Sequence, residues 1–215
     1  MKNNITELVF ILDMSGSMAH LTDDTIGGFN SMLNKQKDGS DKAYVTTYVF
    51  NNSSRILHDR KLIDEVPALT DADYIPSGCT ALVDCMGEAI THIEEVHRYI
   101  RPEDVPEKTL FIITTDGMEN ASCRYSSDDV KKLVERKSEE GWEFLYLAQN
   151  IDAVETARSY GIRADMAVDC MPDKAGTELQ YDAVDCYVSA HRCGAPCAPK
   201  DFRKKIDADY AKRHK

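Results

Sequence analysis

Five consecutive apolar residues, Leu8–Leu12 (LVFIL), constrain the fold of this 215-residue chain more than any other feature. A strand of that composition has no polar face and is buried on both sides, as in a parallel sheet covered by helices. The run stops at Asp13 and continues as MSGSM, which sets Asp13, Ser15 and Ser17 at i, i+2 and i+4 just past the strand. Open α/β sheets place their ligands at that carboxyl end. Taken alone, an Asp and two Ser in a loop read equally as a turn or a helix N-cap, positions that both residue types favour.

The remaining chain repeats the same alternation of apolar β-type runs and longer helical patterns. Strands are expected at Glu7–Leu12, Ala43–Phe50, Ser54–His58, Thr109–Thr114, Glu143–Ala148 and Met166–Asp169. The short NNSS link makes the second and third an antiparallel hairpin and puts Ser54–His58 at an edge. Leu82, Met86, Ala89, Ile90, Ile93 and Val96 keep helical spacing up to a stop at Pro102. Ser126 and Asp129 form a capping box for the next helix, and Gly161 ends the segment DAVETARSYG. A last main helix is expected over about 174–191. The fold class is therefore α/β, a single doubly wound, mostly parallel six-stranded sheet with one antiparallel edge strand, flanked by helices. One domain is expected over 1–195, followed at 196–215 by a basic C-terminal tail that reads as a solvated helix.

Charge narrows the function. The 26 basic and 37 acidic residues leave a formal charge of −11, which argues against nucleic acid or anionic membrane as a partner. The amino terminus has one lysine and too short an apolar run for a signal peptide, which needs roughly 7–15 residues, or for a span of about 20. Seven cysteines without framework spacing fit a reducing compartment, so a cytoplasmic location is expected and the sequons at Asn4, Asn51, Asn52 and Asn120 carry no meaning.

Two further loops share the chemistry of the first. PSGCTALVD places Thr80 immediately before the long helix, with Gly78 allowing a tight approach, and LFIITTDGMEN places Asp116 just past an equally apolar strand. Loops after neighbouring parallel strands converge on one edge, so Asp13, Ser15, Ser17, Thr80 and Asp116 are expected around a single point. All five donors are oxygen, which selects Mg²⁺, Mn²⁺ or Ca²⁺ over zinc. Neutral hydroxyls as direct ligands leave such an ion under-neutralised and open to a carboxylate from outside, which is a docking device.

D-x-S-x-S after an apolar strand, a later G-x-T opening a helix and a T-D-G after another strand resemble the metal-ion-dependent adhesion site of von Willebrand factor A domains. The likeness runs over about residues 5–190 in element order, including the edge hairpin. It implies that Ser15, Ser17 and Thr80 ligate Mg²⁺ (or Mn²⁺/Ca²⁺) directly, and that Asp13 and Asp116 act directly or through water. TDGMENAS is similar to small bacterial stand-alone members, some of them near tellurite-resistance clusters. The resemblance implies a metal-dependent protein-interaction module in a bacterial cytoplasmic stress- or phage-related system, its partner supplying an Asp or Glu to the metal. Glu119 and Asn120 fall at the rim, placed to shape the loop or to contact that partner.

An enzyme is not expected. A Mg²⁺-dependent phosphatase of the haloacid dehalogenase type also puts an aspartate after its first strand, but it needs a second aspartate two residues on as general acid. Ser15 holds that position here, and no lysine stands clearly opposite. Serine hydrolysis fails for want of a G-x-S-x-G elbow. Cys186, His191, Cys193 and Cys197 are residue types that suit zinc, yet C-x4-H-x-C-x3-C matches no common zinc motif, and free thiols are the reading. Cys79, Cys85, Cys123 and Cys170 read as small core residues, Cys79 with an exposed alternative beside Thr80.

Overall fold

The computed structural model describes residues 4–39, 41–149, 152–194 and 198–213. Its strands are β1 (Thr6–Asp13), β2 (Ala43–Phe50), β3 (Ser54–Leu62), β4 (Lys108–Thr115), β5 (Glu143–Gln149) and β6 (Ala167–Cys170). The helices are α1 (Thr22–Lys37), α2 (Leu82–Tyr99), α3 (Ser127–Glu139), α4 (Ala153–Ser159), α5 (Lys174–Arg192) and α6 (Pro199–Arg213), and a 3-10 turn covers Gly16–Leu21. The sheet order is β3-β2-β1-β4-β5-β6, antiparallel only between β2 and β3. All eight residues of β1 are buried, so helices cover both faces of the sheet at its centre. Phe10 of β1 meets Phe29 of α1 edge-on at 5.2 Å, and α1 lies against α5, while α2 lies against α3.

Local signals hold where they were strong. Ser126 and Asp129 bond each other's backbone N–H at 3.2 and 3.0 Å, closing the capping box of α3. Gly161 follows α4 with φ +78°, the left-handed value that lets the chain leave the helix. The edges differ from expectation. β3 runs on from His58 to Leu62 through a register shift against β2, with Arg60 at φ +46°. Arg60 is held there by its N–H on Thr46 Oγ1 (3.1 Å) and its Nε on the buried Glu7 carboxylate (2.8 Å). β6 begins one residue later than expected, because Ala164–Met166 forms a 3-10 turn.

The carboxyl-terminal helix is not a solvated tail. Phe202 and Ile206, four apart on α6, are buried, and Phe202 packs edge-on to Tyr187 of α5 with ring centroids 5.1 Å apart. α6 thereby covers β6, the far edge of the sheet. Among the described residues, no helix is long and apolar enough to cross a membrane.

Candidate metal centre

The register Leu12↔Thr114 brings the ends of β1 and β4 side by side, so the two aspartates that follow those apolar runs are neighbours across the sheet's switch point. Asp13 is fully buried and faces its own loop. Its Oδ1 accepts Ser15 N–H at 2.7 Å and its Oδ2 accepts the Thr115 hydroxyl at 2.6 Å. Burial pushes the Asp13 carboxyl up, against the opposing pull of those hydrogen bonds, and the nearby Asp116 adds to the rise.

With Asp13 behind it, the loop turns its two serine hydroxyls together, 3.0 Å apart. Ser17 Oγ then donates to Asp116 Oδ1 at 2.6 Å. Asp116 is itself buried, which raises its carboxyl, and its Oδ2 has no hydrogen-bond partner. Thr80 closes the group: a Cβ added at Gly117 would lie 3.4 Å from Thr80 Oγ1 and 3.7 Å from Ser17 Oγ, so both hydroxyls look onto that bare α-carbon. Neither Ser15 nor Thr80 caps a helix through its side chain. Ser15 precedes the Gly16–Leu21 turn without a capping bond, and the residue at the N-cap of α2 is Ala81.

The first residues of α2 are capped from the third loop instead. Glu119 Oε2 accepts Val83 N–H (2.8 Å), and its carboxylate also takes the N–H groups of Ala121 and Ser122 and the Ser122 hydroxyl. Asn120 is exposed and pairs twice with Thr80, its Oδ1 accepting Thr80 N–H (2.9 Å) and its own N–H donating to Thr80 O (3.0 Å). Both residues read as rim are thus engaged in shaping the loop. Asp84, in the first turn of α2, accepts three successive N–H groups from Cys123, Arg124 and Tyr125. Its carboxyl is lowered, burial being outweighed by those three bonds and by Arg124. That strap lays Cys123 along the surface, so this cysteine is exposed and is not a core residue.

The β2–β3 link does more than turn the chain. Asn51 O accepts Ala81 N–H (2.8 Å), and Asn52 Oδ1 accepts Cys79 N–H (3.1 Å) from within the space a side chain at Gly78 would need. Gly78 has φ +73°, a conformation that glycine adopts without strain. Its carbonyl accepts Gly16 N–H at 3.1 Å, and Ser77 N–H reaches Met14 O at 2.9 Å. Tyr74, also buried, donates its hydroxyl to the Asp13 carbonyl. Sequence reasoning missed Asn51, Asn52, Tyr74, Asp84 and Thr115. Only Thr115 had a readable signal, as a hydroxyl adjoining Asp116 at the end of an apolar strand.

The donor set fits a hard divalent cation. Two carboxyls raised by burial, one with an unpartnered buried oxygen, adjoin three hydroxyls and an α-carbon with no side chain over them. Among the described residues, no group of three or more His, Cys, Asp or Glu is placed to hold a metal. Cys186 and Cys193 are free and exposed, and His191 Nδ1 faces Glu143 Oε2 at 3.5 Å. Cys197 lies outside the described residues.

No protein-family model matches the sequence, and no curated protein matches it either. Solved structures do match in fold. A mutant of the PilB minor pilin from Streptococcus sanguinis superposes with a TM-score of 0.61 at 10% identity, over 89% of this chain and 63% of the pilin. The vWF domain of the type V pili tip protein Mfa5 from Porphyromonas gingivalis gives 0.60 at 8% identity, over 86% of this chain and 95% of that one. Proximal thread matrix protein 1 from the mussel byssus, solved with its MIDAS motif occupied by zinc, gives 0.54 at 15% identity over 85% of this chain. This chain spans 45% of the byssus protein. The architecture is that of von Willebrand factor A domains.

Proposed function

We propose that this protein is a divalent-metal-dependent protein-interaction module. In this reading Ser15, Ser17, Thr80 and Asp116 hold Mg²⁺ or Mn²⁺, Asp13 supports the first loop from behind, and a partner protein offers an Asp or Glu. The observation that carries it is Asp116: one carboxylate oxygen bonds Ser17, while the other is buried without a partner beside the serine and threonine hydroxyls. A buried carboxylate oxygen left without a donor is costly unless a cation completes it. Bound there, the ion would supply an electrophilic site with coordination positions left for water or an outside carboxylate.

The chain's own residues set that site. Asp13 orients the Ser15 backbone, Thr115 fixes Asp13, and Glu119 and Asn120 hold the third loop against α2. The module is assigned no turnover, since Ser15 occupies the place where a phosphatase of this topology needs an acid. A bacterial cytoplasmic stress- or phage-related setting is part of the proposal and rests on the resemblance of TDGMENAS alone. Titration calorimetry with Mg²⁺ and Mn²⁺ tests the centre. Wild type should bind about one ion and Asp116→Ala none, with unchanged circular dichroism; equal binding by both proteins would sink the assignment.

A further inference from the structure

Large exposed apolar side chains recur in the loops of the centre. Among the described residues four large apolar side chains stand exposed, Ile56, Ile75, Tyr99 and Met118. Two of the four belong to the loops of the centre, and Met118 (71% exposed) and Ile75 (61%) are more open than Ile56 (38%). Met118 directly follows Gly117, the residue onto which Ser17 and Thr80 look. Ile75 is tied to the first loop, its N–H donating to Met14 Sδ at 3.2 Å, one residue beyond Asp13.

Charge is missing from the same loops. Asp13–Leu21, Tyr74–Ala81 and Thr115–Cys123 contain no lysine or arginine. Their acids face inward: Asp13 and Asp116 are buried, and Glu119 is held by Val83, Ala121 and Ser122. His20, the one basic side chain of these loops, bonds Ser17 O through Nδ1 at 2.8 Å. These three segments therefore offer an incoming carboxylate no lysine or arginine of their own, on a chain whose formal charge is −11, and the flanking Arg124 is paired with Glu88 and Asp84. A cluster of acids would be repelled by that field, whereas a single acid needs only the ion. Met118 and Ile75 are the large apolar side chains these loops offer to a partner, and burying them needs an apolar counterpart.

We infer that the centre selects a lone Asp or Glu set between large apolar residues of a partner segment, with Met118 and Ile75 as the apolar contact. The inference rests on the reading of the centre as a metal-held docking site, and its test separates the two. A random-peptide display library is selected on the Mg²⁺-loaded protein and eluted with EDTA. Recovered peptides should carry one Asp or Glu with Leu, Ile, Phe or Met within two positions. For the best peptide, replacing the flanking apolar residues by Ser should weaken binding at least tenfold. The Ile75→Ser, Met118→Ser protein should lose a similar factor while binding Mg²⁺ and melting as wild type does, and Met118→Ser alone serves if the pair melts lower. Acid-rich peptides without an apolar bias, peptide binding unaffected by the substitutions, or no EDTA-released peptide at all would overturn the inference. Failure of the docking-site reading shows separately, as absence of Mg²⁺ binding in calorimetry of the wild type without any peptide.

Discussion

The phenol of Tyr74 donates to the main-chain carbonyl of Asp13 across a separation of 61 residues. It fastens the segment leading into Thr80 to the strand end that carries the first aspartate. Burial pushes the Tyr74 hydroxyl far above its ordinary range, so it stays a neutral donor at any working pH. Removing the hydroxyl leaves a buried carbonyl without its donor. Tyr74→Phe should cost about 1–3 kcal/mol in chemical denaturation, and Mg²⁺ affinity should fall with it, because the loop that holds Ser15 loosens. Unchanged metal affinity in a clearly destabilised variant would show that the loop's shape does not depend on this bond.

Asp116→Asn should separate stability from binding. The buried carboxyl is raised from its ordinary value of 3.8, so its ionised form works against folding at neutral pH when no cation is present. In EDTA the variant should melt no lower than wild type. With Mg²⁺ at 100 times its Kd, wild type should gain about 2.7 kcal/mol and the variant nothing. Melting curves of both proteins with and without Mg²⁺ give the answer.

A pH effect is expected far from the centre. Arg136 grips Glu94 with two bonds of 2.6 and 2.9 Å and Lys137 adds a third contact at 2.9 Å, which holds the Glu94 carboxyl down from 4.5 to about 2. A carboxyl lowered by folding stabilises the protein above its unfolded pKa, and that contribution is lost as pH falls towards the folded value. Glu94→Gln should therefore be less stable than wild type at pH 7, by roughly 3 kcal/mol at most. The gap should close between pH 4.5 and about 2 in urea titrations. A gap that persists at pH 2 would assign the loss to packing.

Phe202→Ala should cost about 3–5 kcal/mol, as for other buried aromatics, although it lies outside the span expected to fold as the domain. Lys205→Ala, on the exposed side of the same helix, should stay within about 0.5 kcal/mol. Equal effects in denaturant would mean that α6 does not hold its place against Tyr187.

How much of this was legible follows from where each signal resides. LVFIL and LFII have no polar face, and that local fact is enough to place β1 and β4 inside a covered sheet with Asp13 and Asp116 at their ends. Ser126 and Asp129 are three residues apart and equally readable. Tyr74 and Asn52 are not, because their partners, the Asp13 carbonyl and Cys79 N–H, are set by how distant loops meet and leave no periodic trace. Glu119 looks like a surface acid in TDGMEN, and only the nearness of the α2 terminus turns it inward. The stretch HDRKL lacks apolar alternation, so no local signal carries β3 past His58, and α6 has only Phe202 and Ile206 among its charges to mark a buried side.

The sheet order also bears on how the chain is made. β1 is synthesised first, yet it lies fourth from the β6 edge, between β2 and a β4 that is roughly a hundred residues away in sequence. At about 5–20 residues per second, the β4 side of this strand, apolar from Leu8 to Leu12, stays unpaired for some 5–20 s after it is translated. Long-range parallel pairing closes slowly, and an open apolar edge invites pairing with other nascent chains. The strand that anchors the candidate centre thus waits with one apolar side open while the ribosome is still at work.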